Sequence, residues 1–270
     1  MGCSEKQRQR YACISDSTYN TYICAGCDLR SLFVVSAGRI CKTQKSPVIP
    51  EGSRQDQKEA KMKGLFITLE GGDGAGKSTQ IRNIERFFTE KGLSVVHTRE
   101  PGGTPISEKL RGILLDNDNS EMDPVTEMMI YAASRAQHVK EVIMPAVQRG
   151  EVVICDRFVD SSVAYQAYGR ELGDMVRDVN RYATGGLTPD ITFWLDIDPA
   201  AGRARAAKAG ALDRLEVEKM DFHYRVYEGY RRIAESEPDR VKRIDASDTV
   251  ESIRDHIYEC LEELCRSKGI

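Results

Sequence analysis

The sequence predicts an α/β fold: a five-stranded parallel sheet flanked by helices in three layers, with a short basic lid late in the chain. Three observations lead there. Short apolar runs rich in β-branched residues alternate with amphipathic stretches of helical period, the pattern of a parallel sheet covered on both faces. The first run opens directly into a glycine-rich turn and then a helix. No repeat of about 20–50 residues is present, which removes solenoids and propellers.

The elements follow in order. Residues 64–70 (GLFITLE) form the first strand. Residues 77–91 are amphipathic, a helix stopped by Gly92. Residues 94–98 (SVVHT) are the second strand, and 106–115 and 124–147 read as helices. The longer of these starts with Asp123 as N-cap and Pro124 in its first turn, where a missing N–H costs nothing. Residues 151–155 (EVVIC) are the third strand, followed by helical segments at 161–168 and 174–183. Strands at 191–195 (ITFWL) and 241–245 (VKRID) complete the sheet, and helices fill 199–209, 217–235 and 250–266.

Residues 1–61 stand apart. They show neither helical nor strand period, carry ten Lys/Arg against six Asp/Glu, and hold five of the eight cysteines. The remaining residues, 62–270, carry 29 basic against 36 acidic residues. Cys24 and Cys27 have the spacing of half a zinc site, but no second pair matches them. We expect 1–61 to be a disordered or non-native leader and the compact domain to span 62–270, with Met62 as a candidate start.

Composition excludes several classes. No run approaches the roughly 18 apolar residues of a membrane span. A net charge of −3 argues against a strongly basic nucleic-acid binder. Cysteines concentrated in the leader do not form a disulfide scaffold for the body, so a reduced, cytoplasmic protein is expected.

Residues Gly71, Gly72, Asp73, Gly74, Ala75, Gly76, Lys77 and Ser78 match G-x-x-x-x-G-K-[ST] between a buried strand and a helix, with Thr79 following. Glycines let such a loop turn tightly and aim successive N–H groups at phosphate oxygens. The N-terminal end of the helix adds attraction for anions. Lys77 supplies charge to the β- and γ-phosphates, and the Ser78 hydroxyl can ligate Mg²⁺. A nucleoside triphosphate site follows, and ATP with Mg²⁺ is the expected pair. The guanine-reading N-K-x-D element of GTPases is absent from the sequence. About 190 residues remain after the loop, a size that suits a compact small-molecule kinase better than a motor.

Four further segments belong to the same crevice, since ligands of open parallel sheets bind beyond the strands' carboxyl ends. The second strand exits into Arg99 and Glu100, then Pro101, Gly102 and Gly103, a binding-loop composition or a plain turn with an ion pair. The third exits into Asp156 and Arg157, followed by Ser161, Ser162, Tyr165 and Gln166. Arg157 can fork onto a phosphate, and Asp156 can hold Mg²⁺ through water or orient Arg157. Tyr131 and Arg135 are four apart on one helix face, where a ring can stack on a planar base while the Arg donates to a carbonyl. Read alone, Tyr131 fits the core better than a stack; Arg135 on the same face favours the stack, because a buried unpaired Arg is costly. Arg203, Arg205, Lys208 and Arg214 surround a glycine-containing stretch that can close over ATP as a lid, or form a solvated charged face.

These segments together resemble bacterial thymidylate kinases: 71–79, 98–104 (TREPGGT), 108–116 (EKLRGILLD), 131–138 (YAASRAQH), 156–166 (DRFVDSSVAYQ) and 212–216 (LDRLE). The resemblance covers 62–270 in the family's order and no part of 1–61. It implies a P-loop NTPase fold, transfer of the ATP γ-phosphoryl group to dTMP, Mg²⁺, and a homodimer. Nucleic acid and membrane are not among the implied partners. Carried over by position, Arg99, Arg111 and Arg157 hold the dTMP phosphate, Tyr131 stacks on thymine where the family often has Phe, and Arg135 donates to its O4. Ser161, Ser162 and Gln166 line the base and sugar pocket, with Glu100 beside them. Asp73 matches an acidic loop residue near the acceptor. Gly74 stands where some relatives have Arg, which shifts the transition-state cations onto Arg203, Arg205, Lys208 and Arg214. The alternatives are another nucleoside monophosphate or deoxynucleoside kinase, or a P-loop switch that binds nucleotide without turnover.

Overall fold

The structure, a computed structural model, describes residues 13–15, 22–24, 64–207 and 213–270. Two units are distinguished, Met1–Ala60 and Lys61–Ile270. In the first, β1 (Cys13–Ser15) pairs antiparallel with β2 (Tyr22–Cys24), Cys13 opposite Cys24. Strands of three residues are too short for a period to show in sequence. Cys27 of the half zinc site lies outside the described residues, as does Lys208 of the lid.

The second unit holds a five-stranded sheet in the order β4-β5-β3-β6-β7, from β3 (Leu65–Glu70), β4 (Val95–Arg99), β5 (Val152–Asp156), β6 (Ile191–Asp196) and β7 (Val241–Asp245). Every pairing is parallel, with Leu69 opposite Asp156 on one side and Phe193 on the other. All five strands fall where the alternation of apolar runs puts them.

The pleat divides β3 between two cores. Leu65, Ile67 and Leu69 pack with Ile81, Ile84 and Phe88 of α1 (Lys77–Glu90) and with Ile253, Ile257 and Leu261 of α9 (Val250–Lys268). Phe66, one residue out of phase, faces the opposite layer with Val153, Ile143 and Phe158. A third cluster joins Trp194 of β6 to Phe222, Val226 and Tyr230 of α8 (Met220–Ser236). Thr68 is buried on that opposite face and is satisfied by a 2.7 Å hydroxyl bond to Thr192. Glu70, two residues on, shares the face and reaches Ser161 and Tyr230.

Two predicted helices are not regular. The segment 124–147 resolves into α3 (Pro124–His138), a π-helical turn at Val139–Ile143, and α4 (Met144–Gln148). Pro145 lacks the N–H that would bond Glu141, and an expanded turn removes the demand. The segment near 161–168 begins as α5 (Val159–Ser162) and continues as a π-helix over Val163–Gly169. The remaining helices are α2 (Pro105–Leu115), α6 (Met175–Thr184) and α7 (Pro199–Ala206). The helix expected from residue 217 starts instead at Met220. Asp213 caps the N–H groups of Leu215 and Glu216, and this turn occupies the residues before it.

Candidate active site

The loops after β3, β4 and β5 leave the same sheet edge and line an open cleft of about 590 Å³. Asp73, Gly74, Gly76, Lys77, Ser78 and Thr79 form one wall; Arg99, Arg111, Tyr131, Arg135, Arg157 and Gln166 stand across it. The sequence-distant segments 71–79, 99–101, 131–135 and 156–166 thus meet in one space.

On the phosphate side, Gly76 is the N-cap of α1 with φ 95°. Lys77 is buried, and its Nζ donates to the carbonyls of Gly71 and Gly72, each at 3.0 Å. Of three ammonium hydrogens, one remains for a ligand. Burial and the nearby Arg157 lower the Lys77 pKa against the pull of Asp156 and Asp73. Ser78 is exposed in the first turn of the helix. Gly74 (φ +74°) lies against α7: a Cβ there would come within 2.1 Å of the Gly202 carbonyl oxygen. An Arg at this position does not fit beside α7 as it stands.

Arg157 joins the two sides. Its Nη2 donates to Asp73 Oδ1 at 2.7 Å, and its guanidinium lies 5.2 Å from the Tyr165 ring centroid. Burial raises the Asp73 pKa, but Arg157 and Lys77 outweigh it and hold the carboxyl below its ordinary value. Arg157 has φ 69°, left-handed for a residue with a Cβ, a conformation that costs on the order of 1–3 kcal/mol and clusters at functional sites. Asp156 next to it carries a buried Oδ1 with no hydrogen-bond partner. Arg111 Nη1 donates to the Pro101 carbonyl at 2.9 Å, and its pKa is lowered by burial and by the neighbouring Arg99. Arg99 is exposed and paired with Glu108 at 3.0 Å. Cations crowded in this way favour an anionic ligand.

Base-side residues are more constrained than their sequence pattern suggests. Arg135 is 1% exposed. Its Nε donates to Glu100 Oε2 at 2.6 Å, Nη1 to Ser162 Oγ at 2.9 Å and to Asn180 Oδ1, and Nη2 to the Phe158 carbonyl at 2.9 Å. Four of five guanidinium hydrogens are used within the protein, and Arg135 is among the residues lining the cleft. The other oxygen of Glu100 meets His138 Nδ1 at 3.0 Å. Glu100 therefore holds Arg135 with one oxygen and His138 with the other. Tyr131 is half-buried against the Trp194 cluster and also lines the cleft. Burial pushes its phenol pKa up, and no partner for its hydroxyl is found among the described residues. Gln166 lines the cleft while its Nε2 donates to Glu127 at 2.9 Å.

Among the described residues the lid cations do not converge. Arg205 lines the cleft and donates to the Ala246 carbonyl at 3.0 Å. Arg203 points to a separate cavity between the loop and α8, where its Nη1 donates to the Glu218 carbonyl at 3.2 Å. Arg214 is buried, bound to Glu127 Oε2 at 2.7 Å and to the Leu114 carbonyl at 2.8 Å. There it anchors the lid's end to α2 and α3. Sequence reasoning missed Glu127, which also takes Arg170, and missed Asn180, Tyr230 and Glu70. A charged residue closing an otherwise apolar strand was a signal for Glu70; nothing near Asn180 marked it.

The thymidylate kinase family model matches residues 69–257. The chain belongs to the thymidylate kinase family. Among curated relatives, the thymidylate kinase of an Exiguobacterium species is 47% identical over 210 residues, covering 77% of this chain and 99% of its own. That of Lactobacillus delbrueckii subsp. bulgaricus is 54% identical over 190 residues, with 69% and 90% covered. The crystal structure of thymidylate kinase from Ehrlichia chaffeensis superposes with a TM-score of 0.60 at 32% identity, covering 73% of this chain and 98% of that one. The fold is that of the thymidylate kinases, a P-loop NTPase sheet with helices on both faces.

Proposed function

We propose that the protein phosphorylates dTMP to dTDP at the expense of ATP. The observation that carries this is the cleft itself: a phosphate loop on one wall, and on the other Arg99, Arg111 and Arg157 beside Tyr131 and Arg135. A deoxynucleoside kinase, whose acceptor has no phosphate, would leave that cation cluster without an anion.

The loop amides and Lys77 hold the β- and γ-phosphates of ATP. Arg157, braced by Asp73, faces the acceptor phosphate together with Arg99 and Arg111. An oxygen of that phosphate attacks the γ-phosphorus, the bond to the β,γ-bridging oxygen breaks, and ADP leaves. The acceptor is already an anion, so positioning and charge neutralisation suffice without a strong base. Arg205 faces the same space from the lid and adds cationic charge where it develops. The roles of Arg203 and Arg214 as further transition-state cations require a lid placement that draws them into the cleft; Lys208 is assigned the same role from its position in the lid sequence.

Mg²⁺ fits the residues present. The unpartnered, buried Asp156 Oδ1 and the exposed Ser78 hydroxyl are hard oxygen donors of the kind it prefers. When bound it would offset charge on the phosphate oxygens, held by Ser78 and, through water, by Asp156.

A homodimer is supported by apolar side chains left exposed on α2, α3 and α6, which pack side by side: Ile106, Met129, Met175 and Tyr182, the last 82% exposed. No helix among the described residues is long and apolar enough to cross a membrane. Cys155, Cys260 and Cys265, free among the described residues, suit a cytoplasmic setting. Residues 1–61 lie outside the family match, which supports a leader not needed for catalysis. Coupled measurement of ADP release with dTMP, dUMP, dCMP and thymidine tests the assignment. Preference for thymidine indicates a nucleoside kinase, and binding of ATP with no turnover on any of the four indicates a switch.

A further inference from the structure

Glu70 closes β3 and is fully buried, immediately before the phosphate loop. Its Oε1 accepts the Phe158 backbone N–H at 2.8 Å. Its Oε2 accepts from Ser161 Oγ at 2.6 Å and from the Tyr230 hydroxyl at 3.1 Å. Those two hydroxyls in turn accept from Arg157 Nη1, at 3.3 and 3.4 Å. One carboxylate therefore grips Arg157 twice. It holds the peptide that follows the left-handed φ of 69°, and it sets the direction of the two hydroxyls against which the guanidinium rests.

We propose that Glu70 is a positioning residue for phosphoryl transfer, acting through Phe158, Ser161 and Tyr230 to aim Arg157 at the acceptor phosphate. This rests on the assignment of Arg157 to the acceptor. The chemistry depends on polarity. An ionised Glu70 only accepts, so at least one of the two hydroxyls, which lie 2.8 Å from each other, points its hydrogen at the carboxylate, and both keep a lone pair for Arg157. A neutral carboxyl adds one donor to the network and turns a hydroxyl hydrogen towards the guanidinium, where it repels.

Every charged group around Glu70 bears on that polarity. Burial and Asp160 of α5 push its pKa up to about 7, against the Ser161 hydrogen bond, Arg157 and the Phe158 N–H. Lys77 of α1 faces it across the loop, and the buried Cys155 of β5 and Tyr230 of α8 are close enough to feel its charge. Glu70 is then ionised above about pH 7 and loses its accepting role below it, so KM for the acceptor should rise as pH falls.

The test compares wild type, Glu70→Gln, Glu70→Asp and Tyr230→Phe. Glu70→Gln should raise KM for dTMP about tenfold or more, leave KM for ATP within about threefold, and flatten the pH dependence of the dTMP KM between pH 6 and 8 relative to wild type. Those thresholds are set by one lost charge-assisted hydrogen bond. Tyr230→Phe, which removes one of the two hydroxyls, should show the same split at smaller size and serves if Glu70→Gln does not fold. Glu70→Asp should recover part of the loss. Equal losses on ATP and dTMP, or an unchanged pH profile in Glu70→Gln and Tyr230→Phe, would overturn the proposal. Wild-type turnover on dTMP checks the assignment separately, because the variant-to-wild-type ratio can be taken with whichever nucleoside monophosphate is turned over.

Discussion

Arg135→Ala tests the base side most sharply. In the structure Arg135 is 1% exposed and gives four of its five guanidinium hydrogens to Glu100, Ser162, Asn180 and the Phe158 carbonyl. Truncation leaves the Glu100 carboxylate, itself 4% exposed, with only His138. Breaking a buried pair by removing one partner costs about 3–5 kcal/mol. For a domain of about 200 residues, where each kcal/mol moves Tm by about 2–4 °C, the expected fall is roughly 6–20 °C. The remaining guanidinium hydrogen is the one available to a pyrimidine O4, an acceptor that cytosine replaces with an amino donor. A site built on such a bond rejects the analogue that opposes it. Arg135→Ala should therefore lower kcat/KM for dTMP far more than for dCMP and narrow the gap between them. Asn180→Ala removes one brace without touching the base, so it should lose stability and keep the dTMP-to-dCMP ratio. Thermal unfolding and kcat/KM for both nucleotides are the measurements. An Arg135→Ala variant that melts within about 2 °C of wild type would refute the buried clasp, on the same scale. Equal losses on the two nucleotides would refute the base contact.

Lys77→Ala should leave the melting temperature near wild type and reduce turnover below about a tenth, since stabilisation of developing charge by such a group is worth several kcal/mol; retained activity above that level places Lys77 outside the chemistry. Tyr131→Phe should be mild, because the hydroxyl has no partner among the described residues. Tyr131→Ala should lose roughly 1–3 kcal/mol of dTMP binding, as removal of an aromatic–base stack does, read from KM. A chain beginning at Met62 should keep full activity and solubility; loss of most activity would give residues 1–61 a role in the enzyme.

Much of the site was legible before the structure, because phosphate binding is a local problem. The strand, the glycine turn, Lys77 and Ser78 must be adjacent in the chain to make a concave row of donors at a helix start, so their pattern survives in one dimension. Strand positions were legible for a similar reason: 64–70 and 191–195 bury both faces, and a doubly buried strand reads as an unbroken apolar run. The cation cluster was half legible. Arg99 and Arg157 follow strand ends, and parallel strands send their carboxyl ends to one edge.

What only the tertiary structure decided is which polar groups are already spent. The sequence shows Arg135 and Arg214 as two arginines alike in type. Folding places Arg135 on Asn180, 45 residues away, and Arg214 on Glu127, 87 away, and leaves a single hydrogen of the first for a ligand. Glu70 and Tyr230 meet across 160 residues. A buried charge must be neutralised by whatever the packed layers bring beside it, and no local period records which residue that is. The sequence by itself determined the sheet, the phosphate loop and the family. The division of its arginines between anchoring the fold and facing the ligand was settled only when the layers closed.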